Sequence, residues 1–217
     1  MRAKSSSDRG LTHSDGVQYL LRHRMSRRCP WFAPTVAVTG LVVLAAACSD
    51  TTGLPAAGID NVVDTTSLYA LFGTPIATPS AYDLTGRLTG HPLVRTDQTA
   101  AFDFAFNFDS LRRPVLLPTG AVGLGQSSGL QLASVPFDSI KLAPTGGYVL
   151  DRGLVADSGA VLIVRSRPTG CLFGVTVFSY AKLVIVAVDT TARRIDFRIL
   201  VDQNCGYRGL APGIPTQ

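Results

Sequence analysis

The sequence has 217 residues but contains no glutamate and only three lysines, although it carries 15 acidic and 20 basic side chains in all. Glutamate and lysine are good helix formers, whereas valine, threonine and phenylalanine, which are plentiful here, favour strands. After residue 48, no long stretch shows the apolar period of an amphipathic helix. The scarcity of helix formers and of helical periodicity therefore points to a β-rich protein.

Histidine and methionine are also scarce, which limits the metal chemistry of the chain. Only His91 of the three histidines lies beyond residue 48, and both methionines occur at or before residue 25. One histidine cannot form a multi-histidine metal site, and haem would need another axial ligand. Several aspartates could bind calcium at a loop but lack the spacing of a dedicated calcium loop, namely Asp60, Asp64, Asp103 and Asp109. We therefore expect no cofactor, and we interpret His91 as a loop residue.

The positive charge of the chain is confined to its first part. Residues 1–47 contain seven basic and two acidic residues and carry the whole formal charge of +5. Residues 48–217 contain thirteen residues of each sign and are neutral. Because a basic folded domain is the usual footprint of nucleic-acid binding and is missing here, we expect no nucleic-acid partner.

Residues 25–50 read MSRRCPWFAPTVAVTGLVVLAAACSD and combine a short basic segment, an apolar run and small residues before a cysteine. This order is typical of an export signal. It resembles the bacterial lipoprotein signal, in which a lipid is attached to the cysteine thiol and the chain is cut just before that cysteine. The family prefers leucine at the position that Ala45 holds here. The resemblance implies that residues 1–47 are a signal peptide with Met25 as the favoured start, and that Cys48 is lipidated.

Two other interpretations of the apolar run remain open. The run is about 17 residues long, near the lower limit for crossing a bilayer of about 30 Å, so an uncleaved transmembrane anchor is one alternative. Ordinary cleavage without lipid is the other. In each case the basic flank places residues 49–217 outside the cytoplasm. We favour a protein anchored to a bacterial membrane by lipid, and Ser49 after the cysteine is compatible with sorting to the outer membrane.

The cysteine count leaves one pair for a disulfide. Of the four cysteines, Cys29 lies in the predicted signal peptide and Cys48 is the predicted lipid site. Cys171 and Cys205 remain, and outside the cytoplasm they are expected to pair. A metal pair or two free thiols are the alternatives, although two cysteines without clustered histidines make a poor zinc site.

The clearest strand signal is the segment AFDFAFNFD at residues 101–109. Four phenylalanines recur there at every second position: Phe102, Phe104, Phe106 and Phe108. In a strand these rings share one face, while the intervening set that begins with Asp103 faces water. We interpret the aromatic face as the core of a sandwich, and the lining of a ligand cavity is the alternative.

Short apolar segments broken by glycine, proline and aspartate continue along the rest of the chain. The predicted strands include residues 82–88, 121–124, 129–135, 138–142, 159–165 and 172–178. We predict an all-β protein, either an antiparallel β-sandwich or a partly open barrel of about ten short strands. The expected organisation is a lipidated cysteine and flexible tether at 48–65, a single domain at 66–210 and an irregular tail at 211–217.

The C-terminal part predicts a hairpin, with strands at residues 182–188 and 194–201 and a turn at 189–193. The stretches YAKLVIVAVD, RIDFR and NCGYR, which start at Tyr180, Arg194 and Asn204, resemble the last hairpin of uncharacterised β-rich bacterial lipoproteins. A fainter similarity reaches haem-scavenging surface lipoproteins. Their paired histidine or methionine haem ligands have no match here, so this resemblance does not imply haem binding.

Two segments match the consensus sequences of catalytic motifs. Residues 125–129 fit the G-x-S-x-G nucleophile elbow, which needs a strand before it, a helix after it and a later histidine. The segment starting at Asp157 resembles the Asp-Ser-Gly signature of retroviral-type aspartic proteases, in which two carboxylates share a proton, and the chain holds one copy. A glycine-serine loop and a tight turn explain both segments, so we expect no catalytic activity.

These observations predict a lipid-anchored cell-envelope protein whose domain is a non-catalytic structural or interaction module. Its expected partners are the membrane, through the N-terminal lipid, and another envelope protein. The alternative is a protein that binds a small apolar or aromatic ligand between its sheets, and a hydrolase is least favoured. A cavity beside the phenylalanines would support the ligand-binding alternative, and a face closed by the opposite sheet would support the module.

Overall fold

A computed structural model describes residues 55–171 and 174–216 of the chain. The predicted signal peptide and the lipid site Cys48 lie outside the described residues. Within the described part the regular structure is strands and three short 3₁₀ turns, Thr85–Thr89, Thr119–Val122 and Phe137–Ser139. The strands are β1 Val63–Tyr69, β2 Ala81–Tyr82, β3 Leu93–Val94, β4 Phe104–Phe108, β5 Pro114–Pro118, β6 Gly129–Leu132, β7 Leu154–Val155, β8 Val161–Arg165, β9 Thr169–Gly170, β10 Thr176–Val177, β11 Tyr180–Asp189 and β12 Arg194–Asp202.

The strands form two five-stranded antiparallel sheets and one two-stranded ribbon. The first sheet has the order β1-β12-β11-β8-β6, the second has the order β3-β2-β4-β5-β7, and β9 pairs with β10 in the ribbon. The two sheets are open at their edges, and their apolar inner faces share one core. The prediction of an all-β antiparallel sandwich is therefore confirmed.

The β11–β12 hairpin is the longest element and agrees with the sequence prediction. Its register runs from Tyr180 opposite Asp202 to Asp189 opposite Arg194, with a bulge at Val186. Alternate apolar residues of β12 are buried against the second sheet, because successive side chains of a strand point to opposite faces. β1 and β8 pair with its two outer edges, so the hairpin forms the centre of the first sheet.

Aromatic side chains dominate the core between the two sheets. Phe104 is fully buried, with its ring stacked on Tyr82 at a centroid distance of 5.4 Å and edge-on to Phe197 at 6.0 Å. Phe106 is also fully buried and meets the ring of Phe108 edge-on at 5.2 Å. Burial of each phenylalanine contributes roughly 2–3 kcal/mol, so these rings are a principal force that holds the sheets together.

Phe102 does not join this set of rings, which corrects the prediction of four phenylalanines on one face. β4 begins at Phe104 and the chain bends at Asp103, so the alternation of a strand does not extend back to Phe102. Phe102 is buried instead with Ala105 on the other face of the second sheet. Asp103, which was predicted to face water, is fully buried because its carboxylate accepts hydrogen bonds from Leu84 and from a distant loop.

The outer face of the first sheet carries a second apolar cluster. Residues 137–143 and the segment around Leu210 cover it, joined by backbone hydrogen bonds. Lys182 of β11 lies beneath this cover and is 1% exposed. Its ammonium group donates to the carbonyls of Phe137 and Ile140, both at 2.9 Å, and lies 4.5 Å from the centre of the Phe137 ring. In residues 55–171 and 174–216, no carboxylate forms an ion pair with this buried charge.

Burial makes Lys182 a pH-sensitive element of stability. Burial, assisted by Lys141, lowers the pKa of Lys182 from 10.5 to about 8. Between these two values the unfolded chain binds one more proton than the folded chain, so the free energy of unfolding rises as the pH increases from about 8. We expect a gain of roughly 2 kcal/mol by about pH 10, measured by urea denaturation at a series of pH values.

The variant Lys182→Met should lose this gain, because it removes the group that titrates. The control Lys141→Met removes an exposed lysine that assists the pKa shift, and it should retain most of the gain because burial is the larger cause. Above about pH 10 the stability should fall again, since burial raises the pKa of Tyr82 and Tyr148 and holds their protons in the folded state. A profile for Lys182→Met that rises like that of the parent protein would contradict this account.

Three segments predicted as strands contain 3₁₀ turns instead. They are residues 82–88, 121–124 and 138–142, of which the first retains only Tyr82, the last residue of β2, in a strand. In the first segment, the carboxylate of Asp83 accepts hydrogen bonds from the backbone and hydroxyl of Thr85, a local pairing that favours a turn. The third segment begins after Pro136, whose carbonyl accepts the N–H of Ser139.

The ordered domain begins earlier than predicted. β1 starts at Val63, inside the segment 48–65 that was predicted as a flexible tether, and Asn61 already forms a bridge with Gly213. The reason is long-range pairing, since Val63 lies opposite Leu200 on β12. The composition of segment 48–65, which is rich in threonine, glycine and aspartate, does not reveal that β12 pairs with this part of the chain.

Candidate functional site

The chain joins the sandwich at one end, which we call the proximal end. The side-chain oxygen of Asn204 accepts hydrogen bonds from the backbone N–H groups of Gly58 and Ile59, both at 2.9 Å. The side-chain amide of Asn61 donates to the carbonyl of Gly209 at 2.8 Å. These bonds fix residues 58–61 to the segment that follows β12, so the described chain enters the domain at this end.

The predicted disulfide between Cys171 and Cys205 is present near the proximal end. Their Cα atoms are 6.0 Å apart, within the usual range for a disulfide. The bond ties the β9–β10 ribbon to the segment after β12. An open cavity of about 480 Å³ lies beside the bond, with Leu88 and Val177 in its wall.

Four loops form the opposite end of the sandwich, which we call the distal end: residues 70–80, 109–113, 156–160 and 190–193. β1 leads the chain from Val63 to Tyr69, a distance of about 20 Å at 3.3 Å per residue. The N–H of Ala70 donates to the carbonyl of Arg193 at 2.8 Å, which holds the first and last of these loops together. These two distal loops are therefore fixed to one another.

Large apolar side chains are exposed on the distal loops. Ile76 is 74% exposed, Phe72 is 71% exposed and Leu111 is 70% exposed. These are the three highest values among large apolar side chains in the described residues. Isolated exposed apolar residues are ordinary, but a concentration on neighbouring loops is typical of an interaction surface.

The β4–β5 loop places Arg112 at the distal end in an uncommon backbone conformation. The carboxylate of Asp109 accepts hydrogen bonds from the N–H groups of Leu111 and Arg113, at 2.9 Å and 2.8 Å. The N–H of Arg112 donates to the carbonyl of Asp109, and Arg112 has a φ of 60°. Hairpin loops of this kind usually carry glycine at such a position.

The β11–β12 loop repeats this arrangement. The carboxylate of Asp189 accepts hydrogen bonds from the N–H groups of Thr191 and Ala192, and Arg193 follows with a φ of 51°. Like the first loop, it begins with aspartate and places arginine where a left-handed conformation is required. In the part of the chain that the structure describes, Arg112 and Arg193 are the only non-glycine residues with positive φ.

Both arginines line one open cavity of about 420 Å³, together with Phe108 and Thr190. The guanidinium group of Arg193 lies 4.9 Å from the centre of the Phe108 ring. Its Nε donates to the carbonyl of Phe72 at 2.8 Å. We call this cavity the arginine pocket. It brings together two cationic side chains from separate hairpins beside the exposed apolar residues.

The amino-acid sequence alone does not reveal the arginine pocket. The only available signal was the shared pattern of an aspartate that starts each hairpin loop and an arginine three or four positions later. Neither the backbone conformation of these arginines nor their convergence on one cavity can be derived from that pattern.

A buried ion pair connects the two sheets. Oδ1 of Asp103 accepts hydrogen bonds from the backbone N–H of Arg167 at 2.7 Å and from its Nε at 3.0 Å, and Oδ2 accepts the N–H of Leu84 at 2.7 Å. The Nη2 atom of Arg167 also contacts Asp83 at 3.0 Å. Burial raises the pKa of Asp103, and the bonds with Arg167 oppose that rise. Because Asp103 has no exposed surface, we assign this network to the stability of the fold.

The residues of the G-x-S-x-G and Asp-Ser-Gly segments, which match catalytic motifs, lie in turns. Ser127, at the centre of the G-x-S-x-G segment, shares a hydrogen bond with the hydroxyl of Thr119 at 3.1 Å, and strand β6 follows where an elbow requires a helix. Asp157 is exposed in the tight turn between β7 and β8. His91 is exposed in the loop before β3, beside an open cavity of about 430 Å³.

Within residues 55–171 and 174–216, the structure has no helix that is long and apolar enough to cross a membrane. The same residues contain no group of three or more side chains suited to hold a metal ion. No protein-family model matches the chain, and no curated protein matches it.

Proposed function

We propose that this chain is an exported protein, attached to a bacterial membrane through lipid on Cys48, whose β-sandwich is a non-catalytic interaction module. The observation that carries the proposal is the separation of the two ends of the domain. Residues 58–61 join the proximal end, and the exposed apolar loops lie about 20 Å away at the distal end. A domain attached in this way presents its distal loops away from the attachment point.

The filled core supports the module over the alternative of a ligand held between the sheets. Phe104 and Phe106 are fully buried, and Phe104 contacts Phe197 of the opposite sheet. The aromatic face is thus closed by protein side chains. The binding surface that we propose is the distal end, with Phe72, Ile76 and Leu111 as the apolar contacts and another envelope protein as the partner.

Replacement of the lipid site is the test of attachment. In the full-length chain, Cys48→Ala should prevent lipid attachment and leave an unprocessed precursor. The loss of two or three acyl chains, at about 0.8 kcal/mol per buried methylene, should reduce membrane retention strongly. Detergent phase partitioning of the expressed protein, combined with mass spectrometry of its N-terminal peptide, measures both effects.

The matched control is Cys29→Ala, which removes the other cysteine of the predicted signal region. This variant should be processed and should partition into the detergent phase like the parent protein. A Cys48→Ala protein that partitions unchanged, or a parent protein whose Cys48 carries no lipid, would contradict the proposed attachment.

A further inference from the structure

We infer that the arginine pocket at the distal end binds a phosphate group, held by the side chains of Arg112 and Arg193. The pocket is open to solvent and has a volume of about 420 Å³, ample for phosphate and for part of the molecule that carries it. The inference concerns the folded domain and is independent of the lipid attachment proposed above.

The chemistry of the pocket wall favours a dianion that only accepts hydrogen bonds. Arg112 and Arg193 supply two permanent positive charges and several N–H donors, and Thr190 supplies a hydroxyl. A phosphate group carries nearly two negative charges at neutral pH and offers three acceptor oxygens. Guanidinium groups bind such oxygens in pairs, which gives both affinity and orientation.

The nearby carboxylates are occupied by other partners. Asp109 accepts hydrogen bonds from Nε of Arg113 and from two backbone N–H groups, and it forms an ion pair with Arg113 at 2.8 Å. Asp189 accepts two backbone N–H groups of its own loop. Within the described residues, neither Arg112 nor Arg193 forms an ion pair with a carboxylate. Their charges are therefore available to a ligand.

The backbone conformation of Arg112 and Arg193 independently supports a ligand site at the arginine pocket. A positive φ is unfavourable for residues with a Cβ atom, and glycine adopts it freely. The only two non-glycine residues with positive φ in the described ranges both line this pocket. Strained residues of this kind concentrate at ligand sites, where the side chain provides an interaction that glycine cannot.

The side chain of Arg193 is also held in position. Its Nε donates to the carbonyl of Phe72, and its guanidinium plane lies over the ring of Phe108, so its two terminal nitrogens remain available for a ligand. Gly73 makes room for it, because a Cβ atom at this position would lie 2.8 Å from Nε of Arg193. Gly73 itself has a φ of 78°. The distal loops thus hold this cation in place before any ligand arrives.

The test measures binding of defined anions to the purified full-length protein by calorimetry. Inorganic phosphate probes the group itself, phenyl phosphate probes a phosphate attached to an apolar body, and acetate at the same ionic strength probes carboxylates. We expect saturable binding of both phosphates and much weaker binding of acetate. Affinity for phenyl phosphate should increase as the pH rises through about 6, because this phosphate monoester then becomes dianionic while guanidinium groups do not titrate.

Three variants separate binding from folding. Arg112→Gly relieves the backbone strain, so it should fold with unchanged or higher thermal stability and should lose phosphate affinity by about tenfold or more. Arg193→Gln should cause a similar loss of affinity. Arg152→Gln removes an exposed arginine from the loop before β7 and should change phosphate affinity by less than about twofold.

The inference would be overturned by any of three results. The parent protein could show no saturable phosphate binding. Arg112→Gly could retain full affinity while folded, which would place the anion elsewhere. Acetate could bind as tightly as phosphate, which would exclude recognition of a dianion. Stronger binding of phenyl phosphate than of inorganic phosphate would support a ligand in which phosphate is attached to an apolar group that contacts the rim.

Discussion

Phe104→Ala should lower the free energy of unfolding by about 3–5 kcal/mol, the range observed when a fully buried phenylalanine is truncated. The ring of Phe104 stacks on Tyr82 and touches Phe197, so its removal opens a cavity where the two sheets meet. Chemical denaturation followed by fluorescence or circular dichroism measures the loss.

Two further variants show whether this loss comes from the core. Phe104→Leu keeps part of the apolar volume and should cost less than the alanine variant. Phe72→Ala removes a phenylalanine that is 71% exposed and should change stability by no more than about 0.5 kcal/mol. Equal losses for Phe104→Ala and Phe72→Ala would mean that the sheets are not held together by this aromatic contact.

The parts of the fold that the sequence predicts are those with a strong local pattern. In residues 104–108 and 194–201, large apolar side chains recur at every second position for the whole length of a strand. The turn between β11 and β12 is so short that these two strands can pair only in the antiparallel direction. The sequence predicts export to an oxidising compartment and assigns Cys29 to the predicted signal peptide and Cys48 to the predicted lipid site. Cys171 and Cys205 are then the two cysteines left to form a disulfide. In each case the signal lies within one segment or in the count of one residue type.

The parts that the sequence does not predict depend on partners far along the chain. Asp103 lies in a segment where polar and apolar residues alternate, and this pattern predicts that its side chain faces water. In the structure, Arg167, which lies 64 residues later, binds the carboxylate of Asp103 in the interior. Val63 is part of a strand only because β12 lies beside it. The two arginines of the pocket likewise belong to different hairpins, and their shared cavity exists only after both sheets have formed.

The buried ion pair predicts the second large effect. Asp103→Asn should lower the free energy of unfolding by about 3 kcal/mol, because a neutral amide cannot replace the carboxylate. The carboxylate accepts hydrogen bonds on both oxygens, from Leu84 on one side and Arg167 on the other. An asparagine side chain has one acceptor and one donor group, so it leaves one buried N–H without a partner and removes the charge that neutralises Arg167.

An exposed ion pair of the same chemistry provides the control for this prediction. Asp97 binds Arg95 through both of its oxygens at the surface, so Asp97→Asn should cost only a small fraction of the Asp103→Asn loss. The double variant Asp103→Asn with Arg167→Gln should be more stable than the sum of the two single losses predicts, since each single change leaves the other partner buried without its counterpart. Strict additivity would show that the two side chains act independently. In that case the link between the sheets would depend on the backbone hydrogen bonds of Leu84 and Arg167 and not on the charge pair.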